Sequence, residues 1–189
     1  MGVNVFGVSV CLLNGFGRVD SGRTDYVSRG ALVMSLLDVS GREQVQYKMG
    51  QMDLTVYRPF SLVVLEPTPS VVSWIWDGVD LRLESNVSAP LISSSFRLQD
   101  VAEHRKRVFQ SLDMRQTETL EAYHRSHVPE AGPFSVCMHR DDANTVSLNK
   151  VVVTSEQVNF FYAPGSPCQS DFLPPVTLSR IAPFQSVQM

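Results

Sequence analysis

The stretch that decides the fold is FSLVVLEPTPSVVSWIWDGVDLRLES, residues 60–85. Its first two apolar runs are rich in the β-branched and aromatic residues that favour strands. Asp77-Gly78 is a strong hairpin signal. After it, apolar and charged residues alternate as in a half-buried strand. The stretch therefore predicts a meander of three antiparallel strands.

Working outward from this meander, the residue patterns predict further strands and helices on both sides. Before it, we predict a strand over 3–13, a helix with Ser28 as its N-cap and a second helix over about 40–52. After it, the patterns predict helices over 101–112 and 117–126, then strands over 132–139, 145–154 and 158–163. This order predicts an α+β fold with largely antiparallel sheets, in which two sheets pack between helix layers.

Details of the two later helices follow from the same patterns. Asp100 is the predicted cap of the first, and Leu120 and Tyr123 form the predicted apolar side of the second. From Pro164 onward the periodicity is lost, so we predict an irregular segment there.

The composition excludes several classes of protein. The chain has 189 residues, 43% of them hydrophobic, and a formal net charge of −3, so it lacks the basic surface that attracts nucleic acids and anionic membranes. No run approaches the ~20 apolar residues of a membrane helix. Three cysteines without a CxxC pair indicate a reducing compartment. We expect a cytoplasmic protein with no nucleic-acid partner and no membrane span.

Four side chains in HRSHVPEAGPFSVCMH are of types that bind zinc. His124 and His127 share a helix face, and Cys137 and His139 alternate onto one side of the predicted strand. The alternative is that they cap and pack a helix-to-strand junction. Their spacing fits no standard zinc finger, so we expect no structural zinc, no other metal and no cofactor. Cys168 has no expected role.

Other candidate residues have a structural and a functional interpretation. Cys11 lies in an apolar strand, where cysteine usually packs as a small hydrophobe. Asn14 lies where that strand meets a Gly-rich loop; its amide could donate to a developing oxyanion, although spacing alone favours a turn Asn. Arg105 and Arg107 lie in a basic helical turn, which is solvated by default, unless one points inward to neutralise a carboxylate or oxyanion.

Five segments of the sequence carry a resemblance to a known family through their order and spacing. They are GVNVFGVSVCLLN (2–14), VSRGALVMSLLD (27–38), RPFSLVVLEP (58–67), PLISSSF (90–96) and HRSHVPEAGPFSVCMHRDDANTVSLNKVVVT (124–154). Taken together they resemble the NRDE family, the family of transport and Golgi organisation protein 2 and its bacterial relatives. The resemblance runs from Gly2 to about Cys168 and implies a four-layer αββα fold like that of the N-terminal nucleophile (Ntn) hydrolases. We therefore expect a family domain over 1–168 and an irregular tail over 169–189.

The resemblance also implies a nucleophile that this sequence does not show. In the family a Cys directly follows the initiator Met, and its own α-amino group can act as the base. Here Gly2 follows Met1, and the Asn-Arg-Asp-Glu motif is missing. We expect the chain to start at an internal Met or to lack its first β-hairpin. As written, it is expected to be inactive and less stable than a full-length parent.

A more distant likeness to acylases of the choloylglycine hydrolase type implies roles for other residues. Segment 4–14 matches their Asn-x-x-Gly strand ending in Leu-Asn, whose last residue serves the oxyanion hole, so Asn14 inherits that role. A catalytic Arg opens one of their later helices, and Arg105 or Arg107 could match it. Their second catalytic Asn has no counterpart at 93–95.

Two functions of different class remain as hypotheses. The first is a cysteine amidohydrolase or acyltransferase acting on a small amide or acyl substrate. The second is a non-catalytic scaffold or module that binds a metabolite or a protein. Pocket loops set the substrate, and fold analogy does not.

Overall fold

Two antiparallel sheets and their connecting helices form a mixed α+β structure, as predicted. A computed structural model describes residues 1–19, 22–68, 71–113 and 116–182. In chain order, the strands and helices are β1 Gly2–Val3, β2 Ser9–Asn14, α1 Arg29–Ser35, α2 Arg42–Gln51, β3 Phe60–Leu65, β4 Val71–Trp76, β5 Leu81–Glu84, α3 Leu98–Gln110, α4 Thr117–Arg125, β6 Ser147–Val153, β7 Gln157–Pro164 and β8 Val176–Ser179.

The first sheet has the strand order β1-β2-β3-β4-β5. Each strand is antiparallel to its neighbours, so that Leu62 of β3 lies opposite Leu12 of β2 and Trp74 of β4. The meander of β3, β4 and β5 is confirmed. Its second turn uses Asp77, whose carboxylate accepts two backbone N–H bonds, and Gly78, whose φ is +99°.

Apolar side chains of this sheet, α1 and α2 form the main core. Both helices are confirmed close to their predicted positions. Ser28 caps α1, with its hydroxyl accepting a bond from the Gly30 N–H at 3.2 Å. The largest fully buried members of the core are Phe60, Leu32, Leu36, Met49, Leu62, Val8, Val10, Val39, Val45 and Val64.

The single strand predicted over 3–13 is wrong. The chain forms β1 and β2 there, joined by a tight turn in which Gly7 has a φ of +79°. The side-chain oxygen of Asn4 accepts bonds from the N–H groups of Phe6 and Val8, at 3.0 and 3.1 Å. Apolar periodicity cannot reveal such a turn, because a buried amide and one glycine make it.

Strand β5 is also less buried than predicted. It forms in register with β4, but all four of its residues are exposed. Leu81 and Leu83 therefore alternate with polar residues as predicted, but their side chains are exposed rather than packed in a core.

The chain divides into two compact units. Unit 1 contains 1–87, 151–160 and 176–189, and unit 2 contains 88–150 and 161–175. The five-stranded sheet and the main core belong to unit 1.

Helices α3 and α4 belong to unit 2. Among their described side chains, Val101 and Tyr123 are buried. Arg97, with a left-handed φ of 38°, is the N-cap of α3. The predicted cap, Asp100, instead lies in the first turn, where its carboxylate accepts a bond from Arg97 Nε at 2.7 Å. Leu120 was predicted on the apolar side of α4 but is 40% exposed. Within the described ranges no helix has both the length and the apolar composition to cross a membrane.

Two predictions about the C-terminal third are wrong. Residues 132–137 form bends rather than a strand, and His139 makes only an isolated bridge to Asn144. The buried hydroxyl of Ser135 bonds to the carbonyls of Gly132 and Cys137 and so competes with strand pairing. The second sheet has the order β6-β7-β8. Its strand β8 lies inside the tail predicted to be irregular and pairs with β7. Residues 183–189 of that tail lie outside the described residues.

Candidate functional site

A cleft of about 430 Å³ in unit 1 lies at the end of β2. Asn14 is the last residue of that strand, pairs with Phe60 of β3 and lines the cleft. Because strand side chains alternate, Asn14 is on the same face as the buried Val8 and Val10, one step beyond the core. Asn14 thus ends a strand and lines a cleft. Its oxyanion role stays a prediction.

Two arginines give this cleft a positive charge. Arg29, the first residue of α1, donates to the Pro59 carbonyl at 2.8 Å. Arg58 lies over the ring of Tyr26, 5.3 Å from its centroid. Burial lowers the pKa of Arg29, and the charge of Arg58 lowers it further. Since no carboxylate is among the described lining residues, the cleft favours an anionic ligand.

Arg105 and Arg107 are not among the residues lining this cleft. The guanidinium of Arg105 donates to the backbone carbonyls of residues 133–135, the shortest bond being 2.7 Å to Ser135. Burial lowers its pKa. The exposed Arg107 lies 3.9 Å from the Glu103 carboxylate. Arg105 thus ties a loop to α3, and the catalytic role of either arginine stays a prediction.

Cys11 has the surroundings of a packed thiol rather than of a nucleophile. It lies opposite Val63 in the β2–β3 pair and is half-buried. Burial raises its pKa, so the thiolate is disfavoured at neutral pH.

A second group of reactive side chains lies within unit 2. His127, Cys137, His139 and Cys168 each place one ligand atom within 4.8 Å of the others. Nε2 of His139 is 3.6 Å from Sγ of Cys137 and 3.5 Å from Sγ of Cys168. Nε2 of His127 is buried and has no hydrogen-bond partner among the described residues. Three of the sequence candidates therefore meet, whereas His124 is outside the group.

We call these four residues the Cys2His2 group. Hydrogen bonds from neighbouring side chains to backbone carbonyls hold the group in place. The hydroxyl of Ser135 donates to the carbonyl of Cys137 at 2.7 Å. The guanidinium of Arg125 donates to two backbone carbonyls, one residue before and two residues after Cys168. Both sulfur-bearing segments are thus fixed by side chains that are not themselves ligands.

Sequence reasoning missed Arg29, Arg58 and Cys168. The arginines had a usable signal in the sequence. Arg29 follows the predicted N-cap Ser28 and Arg58 precedes the meander, and ends of helices and strands are where binding residues commonly lie. Cys168 had none, since it follows β7 in a segment without periodicity. No family model matches the chain, and no curated protein is significantly similar to it.

Proposed function

We propose that the chain is an NRDE-family protein related to the N-terminal cysteine amidohydrolases and acyltransferases. Its cleft in unit 1 binds a small amide or acyl substrate that carries a negative charge. The observation that carries this proposal is that Asn14, an amide donor at a strand end, lines the same cleft as Arg29 and Arg58.

Burial on both faces of the first sheet supports the fold part of the proposal. Leu62 and Trp74 are buried on one face, and Val63 and Ser73 on the other. A sheet with buried side chains on both faces is what an inner layer of an αββα sandwich requires.

In the proposed reaction, the thiolate of a Cys that the resemblance assigns before Gly2 attacks the substrate carbonyl carbon, and its α-amino group holds the proton. The carbonyl oxygen becomes an oxyanion, to which the Asn14 amide donates. Collapse breaks the C–N bond and the leaving amine takes the proton. Water or a second amine then cleaves the thioester. Arg29 and Arg58 hold the anionic group of the substrate.

A non-catalytic binding module is the second candidate, and the surroundings of Cys11 favour it. Cys11 is only three residues from Asn14, yet burial disfavours its thiolate. Under this alternative the basic cleft retains its anionic ligand and performs no chemistry.

The experiment compares the 189-residue chain with a chain extended to a Met-Cys start. Calorimetry with N-acetyl amino acids measures binding by both, and amide turnover is assayed in the extended chain. In that chain, Asn14→Ala should lower kcat by about 10²–10³-fold with little change in KM. Arg58→Gln should raise KM about tenfold. The control, Arg82→Gln, alters an exposed arginine of β5 outside the cleft and should change neither.

The outcomes separate the two candidates. Turnover that depends on Asn14 supports the enzyme. Anion binding that depends on Arg58, without turnover by the extended chain, supports the binding module. Neither binding nor turnover, or equal effects of Arg58→Gln and Arg82→Gln, would overturn the proposal for this cleft.

A further inference from the structure

We propose that the Cys2His2 group, made up of His127, Cys137, His139 and Cys168, is a structural zinc site. This proposal does not depend on the function proposed for the cleft in unit 1. It replaces the expectation that no zinc binds, which rested on the spacing of ligands along the chain rather than on their separation in space.

The separations of the ligand atoms fit a tetrahedral metal. With Zn–S of about 2.3 Å and Zn–N of about 2.0–2.1 Å, a tetrahedral site separates sulfur from nitrogen by about 3.6 Å. The two sulfur-to-nitrogen distances to His139 are 3.6 and 3.5 Å. All four ligand atoms lie within 4.8 Å of one another, so a small movement of side chains closes the site around an ion.

The orphaned nitrogen of His127 points to a ligand. A buried ring nitrogen without a partner is costly, because it has lost its hydrogen bonds to water. Among the described residues Nε2 of His127 finds no partner, although it is next to two thiols and a second imidazole. A metal ion satisfies this nitrogen and the nitrogen of His139 together, whereas both thiols are within hydrogen-bond distance of His139 alone.

The donor set identifies zinc rather than a harder ion. Thiolate and imidazole ligands suit Zn²⁺, whereas Mg²⁺ and Ca²⁺ take oxygen ligands. Binding replaces the two thiol protons, which leave to solvent, and both imidazoles bind in their neutral form. No electron is transferred. Four protein ligands complete a tetrahedral shell and leave no position for a substrate, so the site is structural.

Unit 2 has reason to need such a crosslink. Every member of the main hydrophobic core cluster belongs to unit 1. Among the described residues of unit 2, the buried apolar side chains are Val101, Tyr123, Cys137, Leu148 and Ala163. A unit with so small a core is the kind that a structural metal commonly stabilises. Here the ion would join the segment after α4, residues 137–139 and the segment after β7.

The first test measures zinc in the 189-residue protein, purified without chelator or affinity tag, by plasma mass spectrometry. We expect about one zinc per chain. His127→Gln and Cys168→Ser should each lose most of it. The matched controls are His124→Gln and Cys11→Ser, which remove the same residue types outside the group and should keep the full content.

The second test remains decisive if a ligand variant fails to fold. Cobalt(II) is added to the chelator-stripped wild-type protein, and the absorption spectrum is recorded. We expect the intense d–d bands of a tetrahedral ion and thiolate-to-cobalt charge transfer. Zinc should then abolish both. The weak bands of octahedral cobalt would overturn the proposal. So would a zinc content that falls equally in ligand and control variants, or a Cys137–Cys168 disulfide in metal-free native protein.

Discussion

Replacing Asn4 by alanine tests how the N-terminal hairpin is held together. The Asn4 side chain is 7% exposed and makes three hydrogen bonds. Its Nδ2 donates to the Val39 carbonyl at 2.6 Å, and its Oδ1 accepts from the N–H groups of Phe6 and Val8. One side chain therefore closes the β1–β2 turn and ties it to the chain after α1. Alanine at this position removes all three bonds and leaves their partners unsatisfied.

The expected loss of stability follows from those three bonds. Each is worth about 1 kcal/mol, and a buried partner left unsatisfied costs about 1–3 kcal/mol. The Phe6 amide is only partly buried, so water relieves some of its loss, whereas the Val8 amide is buried. We expect Asn4→Ala to lower the free energy of unfolding by about 3 kcal/mol. For a chain of this size that corresponds to a Tm lower by about 6–12 °C.

Tryptophan fluorescence during urea unfolding measures this loss directly. Trp74 and Trp76, the two tryptophans of the chain, are buried in β4 and report on the sheet that contains β2. The control is Asn86→Ala, which removes the same side chain from an exposed position and should cost less than about 0.5 kcal/mol. Equal midpoints for Asn4→Ala and Asn86→Ala would refute the reasoning.

Three further tests address other parts of the structure. Leu62→Ala removes a fully buried side chain and should lower the free energy of unfolding by about 3 kcal/mol in urea titrations, with Leu62→Met costing less than about 1.5 kcal/mol. Gly78→Ala forces a Cβ to within 2.1 Å of a backbone carbonyl oxygen at a φ of +99°, so the Tm in circular dichroism should fall by the equivalent of about 2 kcal/mol or more. Gly50→Ala, in open space in α2, should not lower it. Arg105→Lys loses the fork that bonds the carbonyls of 133–135, so amides of that loop should exchange hydrogen faster; unchanged exchange would contradict the proposed tie.

Elements that local signals define were predictable from the sequence. The β3–β4–β5 meander follows from two apolar runs and the Asp77-Gly78 turn, because all the determinants lie within the segment itself. The same holds for α1, where Ser28 caps the helix through a bond two residues away. The hairpin at the N-terminus was missed because apolar residues continue through its turn, which the buried Asn4 amide and Gly7 make without a standard turn signal.

The two candidate sites differ in predictability for the same physical reason. Asn14 was identifiable because its place depends on one strand and the alternation of its side chains. The Cys2His2 group depends on contacts between distant segments: Cys168 is 29 residues from His139, yet their ligand atoms are 3.5 Å apart. Spacing motifs detect ligands that share one helix or hairpin, as in zinc fingers. Here Ser135 holds the segment of Cys137, and Arg125 holds the segment of Cys168. Both side chains donate to backbone carbonyls, which a residue of any type would supply. A pattern of residue types along the chain cannot encode such bonds, so the ligand set emerges only once the chain is folded.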